Sequence, residues 1–226
     1  LALPEREIDP RMRWTIPALF FLSGACGLVY QVVWARMLTV VFGATVLAVS
    51  TVLGAFMAGL ALGSFFFGRY VDRIDRPLAV FALLETGIGL YALLFPTLLG
   101  QIGSSAVMLQ TLDADGGALY PSLRFLISFL LLLIPTSLMG ATLPVLSKFV
   151  VRRLSGVGVG VGLLYGINTL GAVAGVVLIT FYLMEAIGLR VSTYSVAGIN
   201  FAVAALAGLA NSRLSTSEPS TTTRNW

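Results

Sequence analysis

The chain has no histidine and a single cysteine, Cys26, among its 226 residues. The first absence removes the commonest metal ligand and the one side chain that titrates near neutral pH without help. The second rules out an internal disulfide and any cysteine-based metal site. Charge is scarce as well: only 11% of the residues are Asp, Glu, Lys or Arg, against about 25% in an ordinary soluble domain. What replaces it is apolar, 58% of the chain, with a mean hydropathy of +0.95. The chemistry of metals, of His-assisted nucleophiles and of disulfide exchange is thereby disfavoured, and no cofactor is expected.

The apolar residues lie in long runs. A hydrocarbon layer of about 30 Å takes roughly 20 residues of helix, and lipid-facing backbone must satisfy itself as helix or closed barrel. The short alternating segments of barrel strands are absent. The runs predict an all-α, polytopic bundle of about six membrane helices: Trp14–Val33, Ala44–Gly68, Leu78–Gly100, Leu123–Ser147, Val157–Met184 and Arg190–Ala210. Residues 1–13 form an N-terminal segment, 14–210 the membrane domain and 211–226 a polar tail rich in Ser and Thr. Trp34–Gly43 is too short to span alone and reads as an interfacial turn or a short surface helix; Gln101–Pro121 reads as a loop, with Asp113 and Asp115 in a solvated turn rather than a calcium site.

Basic residues set the expected orientation. Arg6, Arg11, Arg13, Arg69, Arg73, Arg76, Lys148, Arg152, Arg153, Arg213 and Arg224 fall on one side of six alternating spans, and only Arg36, Arg124 and Arg190 on the other. The positive-inside rule then places both termini in the cytoplasm, with an even number of spans. The first apolar run is too long for a cleavable signal peptide and is not followed by a small-residue cleavage site. The net charge of +4 follows from these arginines, so it points to anionic lipid headgroups and not to nucleic acid.

Within the spans, small residues recur. Gly59 and Gly63, Gly162 and Gly166, and Gly171 and Gly175 are GxxxG pairs that allow helix backbones to approach closely. They suit a sliding helix pair, but static packing is the simpler reading. Gly156–Gly162 lacks the preceding strand and following Lys of a phosphate loop. Polar groups inside spans are functional candidates by default: Glu85, Asn168 and Asn200 lie within them, and Gln31 and Arg36 flank the end of the first. Glu85 could serve as a cation or proton site, or be a structural hydrogen-bonding acid. Pro135 and Pro144 should each orphan a backbone carbonyl in the fourth helix and kink it.

Two likenesses follow from motifs. The connection Gly68-Arg-Tyr-Val-Asp72-Arg73-Ile-Asp75-Arg76 resembles the loop after the second helix of major-facilitator transporters, with Asp75 in place of that pattern's second Gly. The likeness implies that Asp72 and Arg73 pin the loop to neighbouring helix ends. The runs from Leu22 to Arg36, Gly140-Ala-Thr-Leu-Pro144 and Leu164 to Gly175 resemble the membrane half of bacterial fused major-facilitator/spermidine-synthase-like proteins. This implies half of a major-facilitator fold, without the soluble methyltransferase-like domain of those proteins. Gln31 stands where that family usually carries an acid, which weakens ion coupling through the first helix.

The sequence thus predicts a non-enzymatic membrane protein, foremost an accessory or scaffolding subunit with other membrane subunits as partners. The alternative is a half-size transporter, working as a homodimer on a cationic or polyamine-like solute.

Overall fold

The computed structural model describes residues 10–42, 46–112, 119–153 and 157–216. Among them there is no strand. Six helices follow one another: α1 (Pro10–Phe42), α2 (Val46–Tyr70), α3 (Pro77–Leu112), α4 (Leu119–Arg153), α5 (Val157–Leu178) and α6 (Met184–Thr216). A 3-10 turn, Val71–Arg73, precedes α3, and a π-helical segment, Ile179–Leu183, joins α5 to α6. Pro77 opens α3, where its missing N–H costs nothing, and the Arg76 carbonyl accepts from Ala79 and Val80.

Five helical stretches are long and apolar enough to cross a membrane. The last, Gly160–Leu214, has 55 residues, far beyond one crossing. It is broken at Gly188, whose φ of 74° and ψ of 174° no helix admits and which glycine adopts without strain. The break leaves two stretches of span length, so the described residues fold as an all-α, multi-pass bundle with six span-length segments.

Several expected boundaries move. Trp34–Phe42 is neither a turn nor a separate surface helix: it is the continuation of α1. The reason is periodicity, since Tyr30, Val33, Trp34, Met37 and Leu38 recur at three- and four-residue spacing and are all buried in one apolar cluster. Gln101–Leu112 is likewise helical, the end of α3 rather than a loop. Asp113 and Asp115, and the tail beyond Thr216, lie outside the described residues. At 1.5 Å per residue the 36 residues of α3 run about 54 Å. They therefore extend well past a hydrocarbon layer of about 30 Å.

Packing follows small residues. α1 and α5 run parallel: Gly171 abuts the backbone of Phe21, Gly175 that of Ala25, and Gly24 that of Asn168. α2 and α4 also run parallel, with Gly59 against Thr136, Gly63 against Ser137 and Ala141, and Gly140 against the backbone of Leu60.

The third expected pair is corrected by the structure. Gly162 and Gly166 do not pack helix against helix. A methyl group at Gly166 would meet nothing within 4 Å among the described residues, and the same is true at Gly162. Gly162 is exposed and Gly166 half-buried. The physical reason is the pitch of the helix. Gly166 lies nine residues before Gly175, and Gly162 nine before Gly171, which at about 100° per residue is the opposite face. One face of α5 can meet α1, so Gly162 and Gly166 point away from it.

The buried side chains form two clusters. One gathers Ile16, Phe20, Phe81, Leu146 and Ala207, together with the half-buried Ile74. It lies at the end where the Val71–Arg76 connection, the C-terminal part of α4 and that of α6 meet. The other gathers Tyr30, Trp34, Phe95, Leu132, Ile179 and Val196 toward the opposite end. Lys148, Arg69, Arg73, Arg76 and Arg213 all belong to the first end, as the charge pattern requires.

Candidate functional site

Between the two clusters sits a chain of polar side chains. Glu85 on α3 is fully buried. Ser23 Oγ on α1 donates to its Oε1 at 2.5 Å, and Asn200 Nδ2 on α6 donates to its Oε2 at 2.6 Å. The Asn200 carbonyl oxygen in turn accepts from the Tyr30 hydroxyl at 2.7 Å. Beside it, Cys26 Sγ points to the Val196 carbonyl at 3.9 Å. The chain joins α1, α3 and α6 through groups that are buried or half-buried. Among the described residues every partner of Glu85 is neutral.

The helices place these groups by simple periodicity. Ser23, Cys26 and Tyr30 stand at i, i+3 and i+7, one stripe of α1, facing the seam where α3 meets α6. α3 and α6 run antiparallel there, with Gly89 making room for Phe201 and Asn200. In an apolar interior an unpaired polar group costs several kcal/mol, so each member holds the next in one rotamer. Chemically the arrangement offers one carboxyl with both oxygens engaged and one amide engaged at both ends.

Of the residues singled out in the sequence, Glu85 and Asn200 come together. Asn168 does not join them: its Nδ2 donates to the Phe20 carbonyl at 3.0 Å and fastens α5 to α1. Gln31 is half-buried and Arg36 exposed, both outside the polar chain. Gly166 and Gly162 stand on the face of α5 turned away from α1, so they neither line this site nor pack the helices that build it. Ser23 and Tyr30 are members that the sequence pattern does not single out. Their signal is the seven-residue spacing on one face of α1, and it is recognisable only once α3 and α6 are known to pack there.

Nearer the Ile179 end, Trp34 is fully buried between aromatic rings. It stacks on Tyr30 at 4.9 Å and on Phe95 at 4.7 Å, with Tyr91 edge-on at 6.3 Å. Its indole Nε1 has no partner among the described residues.

The connection before α3 is held differently from what the transporter-like motif implies. Asp72 is exposed, Arg76 is exposed, and Gly68 faces open space among the described residues. Arg73 lies over the ring of its neighbour Tyr70, 5.4 Å from the centroid. The contact that ties the connection to another helix is Lys148 Nζ on α4, which donates to the Val71 carbonyl at 2.5 Å. A nearly buried ammonium with a carbonyl partner is a stronger tether than an exposed ion pair.

Compared with protein families, with curated proteins and with solved structures, the chain matches none.

Proposed function

We propose that this chain is a non-enzymatic, multi-pass protein of a bacterial cytoplasmic membrane, with both termini in the cytoplasm, that serves as an accessory or scaffolding subunit of a larger membrane assembly. One observation carries the reading: the buried carboxyl and the buried amide are consumed by one another and by two hydroxyls. Glu85 gives both oxygens to Ser23 and Asn200, and Asn200 gives its own oxygen to Tyr30. A polar chain closed in this way locks helices together, and each of its members is held by another. Composition supports a non-enzymatic reading, since histidine, the side chain most often used for proton transfer, is missing. The collected basic end supports the orientation.

A half-size transporter acting as a homodimer is the second reading, and Glu85 is the observation in its favour. A fully buried acid with no basic partner among the described residues is what a pathway for a cationic or polyamine-like solute would use.

Purification from the native membrane in mild detergent separates the two. A stoichiometric set of other subunits is the expected result. A clean homodimer whose proteoliposomes take up radiolabelled spermidine, with uptake abolished by Glu85→Gln, would replace the scaffold with the transporter. Glu85→Gln is a fair probe because the amide preserves the chain: its oxygen accepts from Asn200 while its NH₂ donates to Ser23.

A further inference from the structure

We infer that α4 is a two-hinge helix held in its course by one hydroxyl from each of two neighbouring helices. Pro135 has no N–H, so the carbonyl four residues back, that of Leu131, loses its helical donor. The Tyr91 hydroxyl on α3 donates to this very oxygen at 2.5 Å. Pro144 orphans the carbonyl of Gly140 in the same way, and Ser64 Oγ on α2 donates to it at 2.8 Å. The two carbonyls that the prolines free are thus the two that neighbouring helices cap.

Each hinge has further hydroxyls around it. Thr136 Oγ1 donates to the Leu132 carbonyl at 2.7 Å, and Ser137 Oγ to that of Leu133 at 2.7 Å. Thr142 Oγ1 donates to the Met139 carbonyl at 2.7 Å. Side-chain hydroxyls that bond back to the ladder compete with backbone bonds and ease bending. α4 therefore carries its bending points on its own sequence, and carries the restraint on two other helices. Tyr91 also borders the Trp34 stack, so the first latch is seated in the aromatic cluster. Opening it frees the part of α4 before Pro135 to swing; opening the second frees the part after Pro144.

The test is a pair of double-mutant cycles, because restoring the proline's N–H should make the latch unnecessary. Tyr91→Phe should lower the melting temperature of the detergent-solubilised protein in the parent background and much less in the Pro135→Ala background. Ser64→Ala should behave the same way with Pro144→Ala. A structural hydroxyl with no tie to the proline would lower both backgrounds equally, and that result overturns the inference. Spin labels at Leu126 and Leu143, in a Cys26→Ala background, straddle Pro135. Their distance distribution should shift or widen in Tyr91→Phe and return to the parent form in the Pro135→Ala/Tyr91→Phe double variant. An unchanged distribution in Tyr91→Phe, or a change that Pro135→Ala fails to reverse, counts against the hinge.

Discussion

Asn200 and Glu85, 115 residues apart in the chain, meet at 2.6 Å with the amide of one donating to the carboxyl of the other. The same amide accepts from Tyr30, so it is the middle link of a three-helix connection. Asn200→Leu removes the link while keeping the volume. It leaves Glu85 short of a donor and Tyr30 short of an acceptor, at about 1–3 kcal/mol for each buried group. Tyr30→Phe removes one hydrogen bond alone and should cost about 1 kcal/mol. Reversible unfolding in a denaturing detergent would measure both. Equal small losses would show that the chain does not act as a unit.

The glycines give a sharper contrast of sign. A methyl group at Gly63 would run into the backbone of Ser137 and Ala141, whereas one at Gly162 or at Gly166 meets nothing within 4 Å among the described residues. Gly63→Ala should therefore destabilise the protein by about 1–3 kcal/mol, through forced separation of α2 and α4. Gly162→Ala and Gly166→Ala should each be neutral or stabilise by up to about 1 kcal/mol, the ordinary helix-propensity gain. Melting of the three variants side by side checks this, and a loss at Gly162 or Gly166 would mean that their face is covered after all.

Lys148→Met keeps the apolar stem of the side chain and deletes the ammonium that holds the Val71 carbonyl. The 3-10 turn and the exposed residues after it should loosen while the bundle stays folded. Limited trypsin digestion should cut after Arg73 several-fold faster than in the parent. An unchanged rate would assign the tether to the packing of Ile74 instead.

Cys26 is 2% exposed and its thiol rests against the Val196 carbonyl. A maleimide should label it negligibly in the folded protein and completely after unfolding, since reaction needs an accessible thiolate. Prompt labelling under native conditions would show that the polar chain beside it is open to water.

Much of the architecture can be read from the residues, because an apolar run that must satisfy its own backbone has few options. The spans, the clustering of basic residues at one end and the importance of Glu85 and Asn200 follow from that constraint. What escapes such a reading is set by neighbours. Arg36 has the look of a span's end, yet α1 passes it because Trp34, Met37 and Leu38 are buried beyond the lipid-length limit. Gly162 with Gly166 and Gly171 with Gly175 are equal as patterns, and only the position of α1 decides between them. Pro135 and Pro144 announce two bends; the sequence carries no mark on Tyr91 or Ser64 to say that they would restrain them. Partners of this kind arise from tertiary packing and leave no local signature.

Gly188 has a consequence for how the protein is made. The helix breaks at Gly188 alone, and the charges on either side of it, Glu185 and Arg190, are opposite in sign. Carrying this break across a bilayer moves almost no net charge, so a membrane potential neither helps nor opposes the step.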